Sequence, residues 1–306
     1  MTVLRDTPIP DERAASVRPS RVPPVLLLLR PHHWIKNAFV LLPVPFALAA
    51  GAHLDAAIFA AGFLGFCLLA SAVYAFNDIR DAETDRLSPR KRLRPLASGA
   101  VSVGTAWILC AVCLVAAVAL GASTGLASVL VLYAVYLGAN AAYSLGAKHV
   151  PLLDVFILAA GFVIRVLLGT ALVLAVPSRW LLLCSSALAL FLAFAKRRGD
   201  LTEGVGAEHR PSLAGYNVRF LDAAMGVCAG IALVTYALYC VEAEVLVAGR
   251  EMASVPFVAF AILDYLRLAF TEDAGASPVA LALGQRSLQA CGVLWLVATG
   301  WSLGLY

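Results

Sequence analysis

The chain reads as long apolar runs separated by short charged or Gly/Pro-bearing breaks. A membrane-spanning helix needs about 20 mostly apolar residues. Nine runs approach that length, near 35–50, 55–77, 104–121, 124–142, 152–175, 180–195, 219–241, 253–270 and 286–305. The first is short and follows VLLLLRPHHWIKN, which reads as an interfacial helix leading into it. The predicted fold is therefore all-α, a polytopic membrane protein of about nine transmembrane helices. Residues 1–23 are polar, with four prolines, several arginines and no short apolar core. They predict a disordered cytoplasmic arm ahead of a single transmembrane domain, 24–306.

Composition agrees. The chain is 61% hydrophobic and 14% charged, where a soluble domain carries about 25% charged residues. With the N-terminus inside, the inner segments are 1–36, 78–103, 143–150, 196–219 and 267–286, and they hold 20 of the 23 Lys and Arg. Arg179 and Arg250 fall outside, and Arg165 lies within a run. That bias is the positive-inside pattern, and it predicts a multi-pass protein of the cell membrane with its site on the cytoplasmic side. The seven cysteines are scattered and imply no disulfide framework. Cys110 and Cys113, a CxxC inside an apolar run without nearby His, read as packing residues. The long charged connections, 78–103 and 196–219, follow runs two and six, which suggests an internal repeat of about four helices.

Candidate chemistry concentrates in Tyr74–Ser98, YAFNDIRDAETDRLSPRKRLRPLAS. Asp78, Asp81 and Asp85 stand at steps of three and four, so on a helix they share a face. Arg86, Arg90, Lys91, Arg92 and Arg94 follow directly. Clustered carboxylates need a cation or basic partners, and Mg2+ prefers oxygen ligands while leaving room for substrate phosphates. The pattern suggests a site for a metal-bound diphosphate; the plainer reading is a solvated loop. Other polar residues fall on the same side: Arg30, Trp34, Lys36 and Asn37 before the first run, Tyr143, Lys148 and Asp154 between runs four and five, and Lys196, Arg197, Arg198, Asp200 and Glu203 after run six. Arg165, roughly 16 Å along a helix from Asp154, is expensive in a membrane unless it lines a polar cavity or meets a partner. Asp264 and Arg267 are expected to pair with each other.

Asn77, Asp78, Asp81 and Asp85 at the inner end of the second of nine helices resemble the first Asp-rich motif of the UbiA superfamily of intramembrane prenyltransferases. The resemblance spans essentially the whole chain. It implies a UbiA-like helical bundle with a cytoplasmic-side polar cavity, in which these four residues bind Mg2+ and diphosphate. Prenyl-transferring members usually carry a second DxxxD motif after the sixth helix, where this chain has the basic AKRRGDL. One acidic and one basic cluster suit a donor with a metal-bound diphosphate and a separate phosphate, as in phosphoribosyl pyrophosphate (PRPP). RPHHWIKN, NDIRDAETDRLSPRKRLRPLASG, YSLGAKHVPLLDV and AKRRGDL resemble the decaprenyl-phosphate phosphoribosyltransferase branch, except that Ser88 replaces a frequent His and the stretch SPVALALGQRSL of the last inner loop lacks the acids expected there.

By that resemblance the chain transfers 5-phosphoribosyl from PRPP to a polyprenyl phosphate, for a lipid-linked pentose donor in cell-envelope synthesis. Asp78, Asp81 and Asp85 would be the catalytic metal ligands. Lys36, Asn37, Asn77, Lys91, Arg94, Tyr143, Lys148, Asp154, Arg165, Lys196 and Arg197 would bind substrate. Partners are PRPP, polyprenyl phosphate and the bilayer; nothing points to nucleic acid, and a homo-oligomer is compatible with the sequence. The alternatives are an aromatic prenyltransferase, which wants acids where Lys196–Arg198 stand, and a transporter using Arg165 and Asp154 as a relay, for which paired Gly/Pro-broken runs are weak.

Overall fold

The structure, a computed structural model, describes residues 22–87, 91–204, 211–271, 281 and 284–306. The expected arm thus lies almost wholly outside the described residues, as do Ser88, Arg90 and most of the last inner loop. Among those described no strand forms. The helices are α1 (Pro24–Leu29), α2 (Val44–Ala49), α3 (Ala56–Leu87), α4 (Val103–Ser123), α5 (Ala127–Leu145), α6 (Leu153–Leu172), α7 (Arg179–Thr202), α8 (Val218–Glu242), α9 (Val255–Thr271) and α10 (Arg286–Ser302). Six of them, α3 to α8, are long and apolar enough to cross a bilayer. The chain is a multi-pass membrane protein.

Polar residues at the breaks start several helices. Asp55 accepts from the amides of Ala57 and Ile58 ahead of α3, Ser102 from Thr105 at α4, and Asn217 from Phe220 at α8. Each satisfies an amide the first turn leaves without a partner.

Two expectations change. The first apolar run is not one α-helix: it is a 3-10 segment, Pro31–Leu41, followed by short α2. Prolines bracket the segment at positions 31 and 43, and Arg30 turns into it with a left-handed φ of 50°. The second change is that α3 and α7 outrun their apolar stretches, to Leu87 and Thr202. The Asp-rich stretch is therefore helix for ten residues where a loop was expected. Its acids and bases cost little helix propensity once they leave the lipid.

The core has two main parts. Phe66, Leu69, Tyr133, Tyr136, Ile164 and Leu168 fill one among α3 to α6; Phe191, Leu221, Met225, Tyr265 and Leu268 fill the other among α7 to α9. Each part thus begins with an overlong helix, α3 or α7. Arg198 closes the second half, donating to Asp222 of α8 at 2.6 Å and to the Ala269 carbonyl of α9 at 2.5 Å. Asp264 and Arg267 pair as expected, at 2.8 Å. In the first half Tyr133 donates to the Gly62 carbonyl, and a Cβ on Gly65 would lie 2.6 Å from the Tyr133 hydroxyl.

Two substitutions test this packing. Tyr133→Phe should cost about 1 kcal/mol, the usual worth of one hydrogen bond, whereas Gly65→Ala should cost about 1–3 kcal/mol through overpacking. Thermal unfolding in nanodiscs checks both, and a Gly65→Ala protein as stable as wild type would refute the contact.

Candidate active site

The overrun of α3 brings Asp78, Asp81 and Asp85 to one end of the bundle, where Asp78 and Asp85 are buried. Each carboxylate meets a cation from elsewhere in the chain. Arg30 donates through Nη2 to both oxygens of Asp78, at 2.6 and 2.9 Å. Arg94 bridges two acids through Nη1, reaching Asp85 at 2.6 Å and Asp78 at 3.3 Å. Lys91 stands 3.7 Å from Asp85, and Lys148 donates to Asp81 at 2.8 Å. The solvated-loop reading fails here, because Asp78 and Asp85 are desolvated and all three acids are paired with cations from outside the helix. Four cations face three carboxylates, so this end keeps an excess of positive charge.

Further polar groups surround the cluster. Ser144 donates to the side-chain oxygen of Asn77, joining the end of α5 to α3. Lys36 is half-buried, makes no hydrogen bond or ion pair with a described residue, and lies within electrostatic reach of Lys196, Arg165 and Arg30. His33 lies near the same lysines, and its Nδ1 is buried without a partner. Like charges held this close in a poorly solvated place favour an anion between them.

Other predicted residues pair with each other. Asp154 and Arg197 are fully buried, with Nε 2.7 Å from Oδ2. Ser212 donates to the same oxygen at 3.0 Å, and Tyr216 to Oδ1 at 2.6 Å. Tyr216 also accepts from the Leu152 amide at 2.6 Å, and burial together with the Asp154 bond pushes its hydroxyl up to about 12. It therefore remains a donor at any physiological pH. Arg197 Nη1 reaches Asp200 at 3.3 Å, while Nη2 is buried and unpartnered. Tyr143 lies close enough to Arg197 to interact with it electrostatically. Arg165 meets no acid. It bonds Asn37, and both are buried.

Sequence reasoning placed Arg30 near the interface without assigning it to the site, yet it makes the closest contact to Asp78. Ser212 and Tyr216 gave no signal, since their partner lies some sixty residues away.

A divalent ion fits the donor set, though the residues are not arranged as a finished cage. Among the described residues no three His, Cys, Asp or Glu side chains converge as a ready ion site. Yet Asp78, Asp81 and Asp85 offer hard oxygens on one helix face, and buried Asp85 Oδ1 has no hydrogen-bond partner. Arg94 now spans the gap between two of these carboxylates, where a cation of higher charge would serve the same purpose.

Two cavities lie elsewhere. One of about 550 Å³ opens at the opposite end of the bundle, between α2, α6, α7 and α8, with Phe46, Thr170, Tyr239 and Glu242 on its walls. It is remote from the acidic cluster. The other, about 280 Å³, is an apolar groove lined by Leu188, Leu192, Ala261, Tyr265, Gly292 and Trp295.

The chain resembles proteins of known type along most of its length. It is 34% identical over 285 residues to the decaprenyl-phosphate phosphoribosyltransferase of Corynebacterium glutamicum, covering 88% of this chain and 83% of that protein. The protein of the same name from Mycolicibacterium smegmatis is 33% identical over 287 residues, with 89% and 90% covered. Among solved structures, a UbiA homolog from Archaeoglobus fulgidus bound to GPP and Mg2+ superposes with a TM-score of 0.68 at 20% identity, over 92% of this chain and 98% of that one. That likeness establishes the fold. Residues 38–274 match the profile of the UbiA prenyltransferase family, and with these relatives the match shows that the chain belongs to that family.

Proposed function

We propose that this protein transfers the 5-phosphoribosyl group of PRPP to a polyprenyl phosphate of the decaprenyl type, releasing diphosphate, on the cytoplasmic face of the cell membrane. The observation that carries this reading is the charge layout. The end of α3 supplies one acidic cluster, and the end of α7, where an allylic-diphosphate enzyme needs a second one, supplies the basic run Lys196–Arg198, with Lys196 in electrostatic reach of Lys36. The names of the two bacterial relatives support it, and the Lys/Arg bias supports the orientation.

Asp78, Asp81 and Asp85 would hold Mg2+, which when bound supplies charge neutralisation for a diphosphate leaving group. Binding requires Arg94 and Lys148 to exchange carboxylate for phosphate oxygens, a swap of like for like. Both then clamp the diphosphate with Lys91, and Asn77 and Tyr143 border it. Lys36 and Lys196 would take the 5-phosphate, with Arg197 Nη2 as a further donor. The bond from ribose C1 to the diphosphate oxygen breaks with its electron pair leaving on diphosphate, through an oxocarbenium-like state. An oxygen of the acceptor phosphate forms the new bond to C1. That phosphate is already ionised at neutral pH, so no general base is needed.

The acceptor's tail belongs in lipid. Leu188, Leu192 and Lys196 follow at four-residue steps along one face of α7, and the first two line the apolar groove. That ridge leads from an isoprenoid-compatible surface to a phosphate-compatible lysine.

The purified protein in lipid, given Mg2+, labelled PRPP and a polyprenyl phosphate, should move label into the lipid phase, and EDTA should abolish the transfer. Product only from an allylic diphosphate and an aromatic acid would overturn the reading in favour of prenyl transfer. Asp81→Asn, at a partly exposed position, should leave the fold intact and lower kcat about 100-fold or more. Full retained activity would remove the role given to that carboxylate.

A further inference from the structure

Arg165 carries a guanidinium deep in the bundle with no carboxylate to neutralise it. Such a charge is costly at membrane depth, and the structure compensates it in an unusual way. Nε donates to Asn37 Oδ1 at 2.8 Å, Nη1 to the Gly161 carbonyl at 2.6 Å, and Nη2 reaches the Tyr136 hydroxyl at 3.5 Å. The rings of Phe66, Tyr136 and Phe162 surround it, with centroids 5.1, 5.3 and 5.4 Å away. Asn37 uses its other end to donate to Cys67 Sγ at 3.1 Å. One arginine thus joins α6, the 3-10 segment and α3.

The segment it grips is the least self-supporting part of the bundle. Pro31–Leu41 has 3-10 hydrogen bonding over 11 residues, and such runs are poorly bonded and uncommon beyond three or four residues. It lies directly on α6: a Cβ at Gly169 would sit 2.0 Å from the Val40 carbonyl oxygen. Trp34 adds one bond, to Ser71 at 3.0 Å. Arg30, just before the segment, and Lys36, within it, are the site cations contributed from this side. Asn37 is the residue next to Lys36.

We infer that Arg165 is a positioning residue: acting through Asn37, it fixes the 3-10 segment on α6 and so sets where Arg30 and Lys36 stand in the active site. It does not touch substrate. Asn37 is wholly inaccessible and Arg165 is 4% exposed, and the aromatic rings close the space around the guanidinium.

The activity readout rests on the proposed phosphoribosyl transfer; a second readout does not. Arg165→Met and Asn37→Asp are compared with wild type in nanodiscs for the KM for PRPP, kcat, thermal stability and amide hydrogen exchange across 31–41. Arg165→Met should raise KM about tenfold, equivalent to about 1.4 kcal/mol, with a smaller change in kcat, and should accelerate exchange across 31–41. Asn37→Asp gives Nε a charged acceptor, so exchange across 31–41 should remain slow. If Asn37→Asp accelerates exchange as much as Arg165→Met, the Arg165–Asn37 bond does not hold the segment and the inference fails. It fails equally if Arg165→Met lowers thermal stability while KM and exchange stay unchanged. Should wild type not use PRPP, the functional reading falls, and the exchange contrast between the two variants still decides the role of Arg165.

Discussion

The structure depends on neutralising a buried carboxylate face. Asp78 and Asp85 lie where water is scarce, and leaving either without a cation would cost several kcal/mol. The partners come from far along the chain: Arg30 lies 48 residues before Asp78, and Arg94 lies 9 residues after Asp85. Lys148 reaches Asp81 from 67 residues downstream. Meeting these charges requires the turn after α1, the connection after α3 and the turn between α5 and α6 to converge on one point. The same convergence gathers more positive charge than the acids consume. An anion-binding end is therefore a by-product of making the helix end stable.

The sequence was informative wherever partners are close or periodicity is strong. The three- and four-residue steps of Asp78, Asp81 and Asp85 put them on one helix face, and Asp264 pairs with Arg267 one turn away. Eight long apolar runs became eight helices. The first run misled, because hydropathy measures how apolar a stretch is and not which hydrogen-bonding pattern its prolines permit. Charge in the sequence marks the end of the apolar part of α3 and α7 and not the end of the helix, which continues to Leu87 and Thr202.

Long-range partners were hidden for a different reason. Asp154 and Arg197 each read as a candidate for substrate contact; the structure pairs them, with Ser212 and Tyr216 completing the shell of the acid and Arg197 Nη2 left over. Nothing local in the sequence distinguishes a buried Asp held by three donors from one awaiting a ligand. Arg165 shows the converse: an arginine in an apolar run predicts an acid or a polar wall, and the structure uses an amide, a carbonyl and three aromatic rings.

The Asp154–Arg197 pair crosses the boundary between the two core parts, from α6 to α7, and Tyr216 extends it to the connection after α7. Separating the halves there would strand two opposite charges in a dry interior. At the far end the boundary is instead occupied by the 550 Å³ cavity, with small residues such as Ala47 and Ala175 around it. The two ends of this boundary thus differ: one is clamped by a buried ion pair, like the bound edge of a book, and the other encloses open space. Relative motion of α6 and α7 that leaves this clamp closed would be small at the charged end and larger at the opposite face.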